Sequence, residues 1–212
     1  GMALSDSLGL IAGLLAFLVY WTYYNQTVKG ASNPNPATWL IWLVLGIMNL
    51  ATFFQVLAGQ EHSFLKALED VWWRAFIVVA VNICLLLFFI YCLRRGKFTA
   101  LGKLEKLTIA AAILVGIIWQ LTGNEHAANL LLQAIYVASF VPTIINLKNG
   151  KANEHHPPWA IATVAYLFST ASIATGPEHH WVAYVHPIVN GILCNGAVAL
   201  LAWNKHLETK KK

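Results

Sequence analysis

The chain has 212 residues, of which 58% are hydrophobic and only 11% are charged, and its formal net charge is +5. A soluble domain carries roughly a quarter charged residues, so this composition excludes an ordinary water-soluble globule. The apolar residues are gathered into long runs, and a run of roughly 20 apolar residues is what a helix needs to cross a bilayer. The composition therefore predicts an integral membrane protein.

Seven apolar runs follow one another along the chain. We expect spans at residues 8–24, 38–57, 72–93, 107–121, 127–147, 159–175 and 181–203. Each run should be a helix, because the bilayer interior offers no water to unpaired amides. Asp6 precedes the first run where a signal peptide would carry positive charge, so we expect that run to be a true span. The fold class is therefore all-α, with seven transmembrane helices.

Positive charge sets the orientation, because Lys and Arg in short loops stay on the cytoplasmic side. With the N-terminus outside and the C-terminus inside, the cytoplasmic segments hold 12 of the 14 basic residues: Lys29, Arg94, Arg95, Lys97, Lys103, Lys106, Lys148, Lys151, Lys205, Lys210, Lys211 and Lys212. We therefore expect a plasma or inner membrane protein with a basic cytoplasmic tail. The charges are not interleaved with aromatic residues, so nucleic acid is not an expected partner.

The two halves of the chain match each other, with a shorter loop before the third span of the second half. At an offset of 120 residues, Trp39 falls on Trp159, and at an offset of 108 Asn82 falls on Asn190. In both halves a span ends, a polar segment with Lys, Gly, Asn and Pro follows, and a Trp opens the next span. We therefore expect a first triplet of helices in residues 1–96, a linker helix in 97–124, a second triplet in 125–204 and a tail in 205–212. A linker that crosses the membrane makes the two triplets parallel repeats.

This layout, together with the stretch Phe140-Val141-Pro142-Thr143 and the later Lys148 and Gly150, resembles the PQ-loop and SWEET transporter superfamily. The literal Pro-Gln pair is absent from both halves, since the second has Pro142-Thr143 and the first has Thr22-Tyr23. Trp39-Leu40-Ile41-Trp42 resembles the tryptophan-rich signature of the PnuC vitamin transporters. KDEL receptors are also similar in fold. The resemblance implies a carrier of small molecules and leaves a non-transporting receptor as an alternative.

Polar side chains inside spans are the candidate binding residues, because each needs a partner in the membrane. Asn82 and Asn190 should lie near the midplane, and the resemblance implies that they face each other across the substrate. The further candidates are Asn49, Tyr166, Trp42, Gln133, Tyr136 and His186. Helix packing is the alternative explanation for the asparagines. We expect Trp39, Trp72, Trp73, Trp159, Trp181 and Trp203 to belong to the interfacial belt.

Pro142 removes one backbone hydrogen bond near the end of the fifth span, so it is a candidate hinge of an inner gate, with Thr22 at the matching place in the first half. A static kink is equally consistent with this proline.

Eight histidines raise the question of a metal site, but most of them fall in loops or at span ends without suitably spaced ligands. We therefore expect no metal and no other cofactor. His186 differs, because it lies inside the last span one turn before Asn190, where it could bind substrate, carry a proton or only pack.

No Asp, Glu or Lys falls inside a predicted span, which disfavours carboxylate-coupled uptake. No sequence motif of an enzyme is present, so catalysis is not expected. The function predicted is facilitated transport of a small polar uncharged solute, such as a sugar, nucleoside or vitamin. The alternatives are a receptor of the same fold and a proton-coupled carrier that uses His186. The expected partners are the solute and the lipid bilayer, and assembly into a homo-oligomer stays open.

Overall fold

The structure, a computed structural model, describes residues 2–30, 36–59, 63–95, 101–177 and 179–212, with the side chains of Thr38, Phe64, Ala67 and Asp70 excepted. Lys97, one of the basic residues assigned to the cytoplasmic side, and His62, one of the eight histidines, lie outside these ranges. In the part of the chain that the structure describes, 85% of the residues are in helices and none is in a strand.

Within the described ranges, seven helices precede a composite C-terminal helix. They are α1 (Leu4–Val28), α2 (Pro36–Ala58), α3 (Phe64–Val71), α4 (Phe76–Arg94), α5 (Lys103–Thr122), α6 (Glu125–Lys148) and α7 (His156–Ala174). The C-terminal helix covers Trp181–Lys210. It begins as a 3₁₀ turn at Trp181–Tyr184, continues as a π-helix over His186–Cys194 and ends as an α-helix over Asn195–Lys210.

Six of these helices are long and apolar enough to cross a membrane: α1, α2, α4, α5, α6 and the C-terminal helix. The seventh long helix, α7, has 19 residues and carries no Asp, Glu, Lys or Arg. Its prolines, serines and threonines lower its mean hydropathy below that of the other six. The chain is therefore a helical membrane protein.

The segment before α4 differs from the sequence prediction. We expected a span to start at Trp72, whereas the structure has a short helix α3, turn residues at 72–75 and then α4 from Phe76. The hydroxyl oxygen of Ser63 accepts the backbone N–H of Lys66 at 3.3 Å and so caps α3. Hydropathy alone missed α3 because its apolar residues occupy one face and its charged residues the other.

The C-terminal helix is not the uniform α-helix that the sequence led us to expect. Pro187 lies in the first turn of its π-helical part. Asn195, where the α-helical part begins, donates its amide to the carbonyl oxygens of Asn190 (3.0 Å) and Gly191 (2.9 Å). These bonds satisfy carbonyls at the junction. Such π segments occur often at functional sites.

The long helices pack in two similar groups. α4 packs against both α1 and α2, and the C-terminal helix packs against both α6 and α7. Between the groups, α1 contacts α7 and α2 contacts α6. α5 packs against α2 and α6, and it is the least buried of the six long apolar helices. The space between the two groups therefore lies in the centre of the molecule.

The contact between α1 and α7 is made by small residues. Ala12 and Ala16 of α1 and Ala165 of α7 are buried. At one end of the contact the hydroxyl of Ser5 donates to the backbone carbonyl oxygen of Ser172. The hydroxyl of Ser172 donates in turn to the backbone carbonyl oxygen of Ser5, and both distances are 2.6 Å. Small residues let two helices approach closely in a membrane, so this pair is held firmly together.

Candidate functional site

A cavity of about 100 Å³ lies between the two groups of helices. Its walls come from α1, α2, α4, α6, α7 and the C-terminal helix, whereas α5 contributes none of its lining. A buried water needs roughly 10–15 Å³ of such space, so the cavity has room for several waters or a small solute.

Seven of the eight predicted binding residues line this cavity: Asn49, Asn82, Asn190, Trp42, Tyr136, Tyr166 and His186. Gln133, the eighth, is buried and makes hydrogen bonds to three of the lining residues. Asn82 and Asn190 therefore border one space, each from the third long helix of its group. Whether they bind a substrate stays a prediction.

Asn82 is held by its side-chain nitrogen, and its side-chain oxygen has no partner among the described residues. Its Nδ2 donates to the carbonyl oxygens of Val78 (2.8 Å) and Gly46 (3.1 Å). Its Oδ1 is buried and accepts no hydrogen bond from the residues that the structure describes. Leaving a buried acceptor unpaired costs about 1–3 kcal/mol, so this atom has a strong tendency to accept a hydrogen bond from a solute or water.

Gln133 joins the two groups through its side-chain amide. Its Nε2 donates to Oδ1 of Asn49 at 2.9 Å and to Oδ1 of Asn129 at 3.2 Å. Its Oε1 accepts Nδ2 of Asn190 at 2.7 Å and lies 2.9 Å from Nδ1 of His186. The chain of bonds therefore runs from α2 through α6 to the C-terminal helix.

The same hydrogen bonds show which ring nitrogen of His186 carries a hydrogen. An amide oxygen can only accept, so Nδ1 of His186 carries the hydrogen that Oε1 of Gln133 receives. In the neutral ring, Nε2 is then an acceptor. Aromatic rings surround the imidazole, with those of Tyr166, Tyr136 and Phe53 centred 5.6, 5.7 and 6.0 Å away.

Three tyrosine hydroxyls add donors to the cavity. Tyr20 of α1, Tyr136 of α6 and Tyr166 of α7 line it, and their hydroxyls make no hydrogen bond to any residue within the described ranges. A buried phenol normally finds a hydrogen-bond partner, so these hydroxyls are available to a polar guest.

Aromatic rings pack against one another at the end of the cavity that lies towards the α6–α7 loop. Trp39 packs against Phe88 at 4.4 Å, Tyr23 at 5.2 Å and Trp42 at 5.3 Å between ring centres. The Trp42 ring stacks on that of Phe140 at 5.7 Å. All five of these residues except Phe88 line the cavity.

The expectation that Trp39 and Trp159 belong to the interfacial belt is wrong. They are only 4% and 8% exposed, and both line the cavity. The indole N–H of Trp159 reaches a carboxylate, Oε2 of Glu154, at 3.4 Å, which satisfies its polar atom inside the molecule. Trp181 and Trp203, at 60% and 41% exposed, do face outward as expected.

Glu154 lies in the α6–α7 loop and folds back against the cavity wall. Its Oε1 accepts the hydroxyl of Tyr23 at 3.5 Å, and its Oε2 accepts the N–H of Trp159. Burial raises the pKa of this carboxyl to about 7, although both hydrogen bonds lower it. A carboxyl group therefore contacts the cavity lining from a loop, outside every predicted span.

The two candidate hinge residues lie away from the cavity. Pro142 is inside α6, which continues past it to Lys148. The hydroxyl of Thr22 donates to the carbonyl oxygen of Leu18 at 2.8 Å on an exposed face of α1. Neither residue is among those that line the cavity, so a role of either in gating stays a prediction.

Comparisons of the chain with protein-family models, curated proteins and solved structures find no match. Within the described ranges, no three His, Cys, Asp or Glu side chains come together as metal ligands. Glu125, placed by the sequence before the fifth span, is the first residue of α6 and is only 3% exposed, so one carboxyl does lie at a helix end inside the protein.

Sequence reasoning missed several residues of the site: Tyr20, Tyr23, Trp159, Asn129, Asn195 and Glu154. Asn129 and Asn195 carried the same signal as the predicted asparagines, a polar side chain inside a span. The tyrosines of α1 carried none, because a tyrosine near a helix end is as typical of the interface.

Proposed function

We propose that the protein is a facilitative carrier of a small polar, uncharged solute, such as a sugar, nucleoside or vitamin. The observation that carries this proposal is a central cavity bordered by Asn82, Asn190, His186 and three tyrosine hydroxyls. Several of these groups have hydrogen-bonding capacity that no described residue uses. Amides and phenols offer both donors and acceptors, which suits the hydroxyls of such solutes.

The lining also supports an uncharged solute. No Asp, Glu, Lys or Arg is among the cavity-lining residues that the structure describes. A charged solute in a low-dielectric cavity needs an opposite charge, since desolvation of an unpaired ion costs many kcal/mol.

We further propose that all seven long helices span the membrane as two parallel triplets. The packing supports it, because in each group the third long helix contacts both of the others. The inter-group contacts have the same symmetry, since the first helix of each group packs on the second of the other. α5 would be the linker that returns the chain to the starting side. This arrangement resembles that of the SWEET superfamily and the PnuC transporters.

The proposed orientation places the N-terminus outside and the C-terminus in the cytoplasm. It is supported by the concentration of Lys and Arg in alternate loops. In this orientation the aromatic end of the cavity and Glu154 lie towards the cytoplasm. Transport would proceed by rocking of one triplet against the other about the end of the α1–α7 contact that Ser5 and Ser172 hold together.

Uptake by the purified protein in proteoliposomes tests the proposal. A thermal-shift screen with sugars, nucleosides and vitamins first identifies a solute, because a bound ligand stabilises the folded form by mass action. We expect Asn82→Ala or Asn190→Ala to abolish uptake of that solute while the protein stays folded. Gln120→Ala is the matched control, because Gln120 lies on α5 in a groove outside the cavity.

Unchanged uptake in both asparagine variants would contradict the proposal. Stabilisation by the solute without any flux would favour the receptor instead. The proton-coupled alternative is supported by the position of His186 between the cavity and Gln133. It requires uptake that depends on a pH gradient and loses this dependence in His186→Gln.

A further inference from the structure

We propose that Glu154 is a titratable latch for the aromatic end of the cavity: its carboxyl holds this end closed while protonated and favours opening when it ionises. The inference rests on the proposed function, because a latch matters only for a cavity that opens and closes. It adds a control by pH that the facilitative carrier does not otherwise contain.

The geometry ties Glu154 to both groups of helices at once. Tyr23 belongs to α1 and Trp159 to α7, and one carboxyl contacts both through its two oxygens. Both partners line the cavity. The rings of Tyr23 and Trp159 also meet edge to face, with 6.4 Å between their centres. Separation of these rings at this end therefore requires at least one of the two hydrogen bonds to break.

The loop that carries Glu154 is fixed in place by the C-terminal helix. Nζ of Lys205 donates to the carbonyl oxygen of Ala152 at 2.7 Å, two residues before Glu154. Ala152 itself packs against the aromatic cluster. The carboxyl is thus presented to the cavity wall by a loop that is anchored at Ala152, and movement of the C-terminal helix would move the latch.

The direction of the effect follows from burial. In the closed form burial raises the pKa of Glu154 to about 7 from an ordinary value of 4.5. When this end opens, water reaches the carboxyl and its pKa returns towards the ordinary value. The closed form therefore binds the proton more tightly, and closure is favoured below pH 7 and loses this support as the pH rises through 7. These two values imply a fall in the closed-to-open ratio of roughly tenfold between pH 6 and pH 8.

Other groups that titrate or carry charge surround the loop, and a test must separate them from Glu154. They are Tyr23 of α1, Cys92 of α4, Lys205 and His206 of the C-terminal helix, and His155 and His156 of the loop and the start of α7. Glu154→Gln isolates the carboxyl from all of them. Glutamine keeps an acceptor for Trp159 and a donor for Tyr23 but does not ionise.

The experiment measures how fast a thiol reagent reaches the cavity. Ala162 lines the cavity on α7, so Ala162→Cys is combined with the wild-type Glu154 and, separately, with Glu154→Gln. Both proteins, in lipid nanodiscs, are labelled with a polar methanethiosulfonate reagent at pH 6 and pH 8, and labelling of the parent protein without Ala162→Cys is subtracted. At each pH, the labelling rate of the protein with wild-type Glu154 is divided by the rate of the Glu154→Gln protein, which cancels the effect of pH on the ionisation of the thiol.

We expect this ratio of rates to rise about tenfold from pH 6 to pH 8. A ratio that stays constant overturns the proposal. Glu208→Gln, an exposed glutamate of the C-terminal helix, is the matched control and must leave the rise intact; a rise lost there also overturns it. Should Ala162→Cys fail to fold, Val81→Cys on α4 reports on the same cavity. Labelling does not require transport, so the latch and the carrier function fail separately.

Discussion

Replacement of Gln133 by leucine should destabilise the protein by removing the hub of its buried polar network. Leucine is of similar size, so little empty space is created and the loss is mainly of hydrogen bonds. Asn49 keeps a donor in Asn129 (3.1 Å), and Asn190 keeps the backbone oxygen of residue 133 (3.3 Å). His186 keeps no partner for its Nδ1–H within the part of the chain described.

One orphaned buried donor costs about 1–3 kcal/mol, and the bonds lost by Asn49, Asn129 and Asn190 add roughly 0.6 kcal/mol each by the average measured for side-chain bonds between helices in membranes. We therefore expect Gln133→Leu to lower the free energy of unfolding by about 3–5 kcal/mol. Reversible unfolding in mixed micelles, followed by circular dichroism against the fraction of denaturing detergent, measures this quantity.

A double-mutant cycle identifies the source of the loss. In Gln133→Leu with His186→Phe, both partners of the bond are apolar, so the double variant should lose less than the sum of the two single variants. Gln120→Leu, outside the cavity on α5, serves as the control and should change stability by less than about 0.5 kcal/mol. Additive losses in the cycle would refute the reasoning that His186 depends on Gln133.

Two further changes test the packing of α1 and the latch. Gly9→Ala should destabilise the protein by about 1–3 kcal/mol in the same unfolding measurement, because the added methyl group would overlap the backbone carbonyl of Trp73. Gly116→Ala is the control and should be nearly neutral, because its methyl group meets only the flexible end of Met48. Tyr23→Phe removes a hydrogen bond that lowers the pKa of Glu154. The pH midpoint of labelling at Ala162→Cys should therefore move upward, and a downward shift would contradict the contact between Tyr23 and Glu154.

The sequence predicted the helical membrane class and placed most of the helices, because apolar runs and their polar breaks are read directly from composition. The ends of the helices were predicted less accurately, since α1 runs from Leu4 to Val28, beyond the predicted 8–24. The hydrocarbon core limits the length of an apolar run, but a helix continues into the polar interface as long as its backbone hydrogen bonds are made.

The polar candidates of the site were found by a simple rule, that a polar side chain inside a span needs a partner. This rule identified Asn82, Asn190, Gln133 and His186 but said nothing about which of them pair. The rule does not apply to Glu154, because this residue lies in a loop. Only the folded chain brings that loop against Tyr23 and Trp159. The π-helix over His186–Cys194 was likewise not indicated by the hydrophobic periodicity of the sequence.

The buried polar groups fall into two sets with different consequences. Asn49, Asn129, Gln133 and Asn195 are bonded to one another or to carbonyls, and such bonds fix the positions of α2, α6 and the C-terminal helix. Oδ1 of Asn82 is buried without a partner among the described residues, and Tyr20, Tyr136 and Tyr166 border the same cavity with hydroxyls that no described residue bonds. The unpaired buried acceptor of Asn82 costs about 1–3 kcal/mol, and the hydroxyls beside the cavity are free to bond to a guest. A guest that hydrogen-bonds to Asn82 removes this cost, so a solute should bind to the unpaired groups beside Asn190 and His186, which line the same cavity.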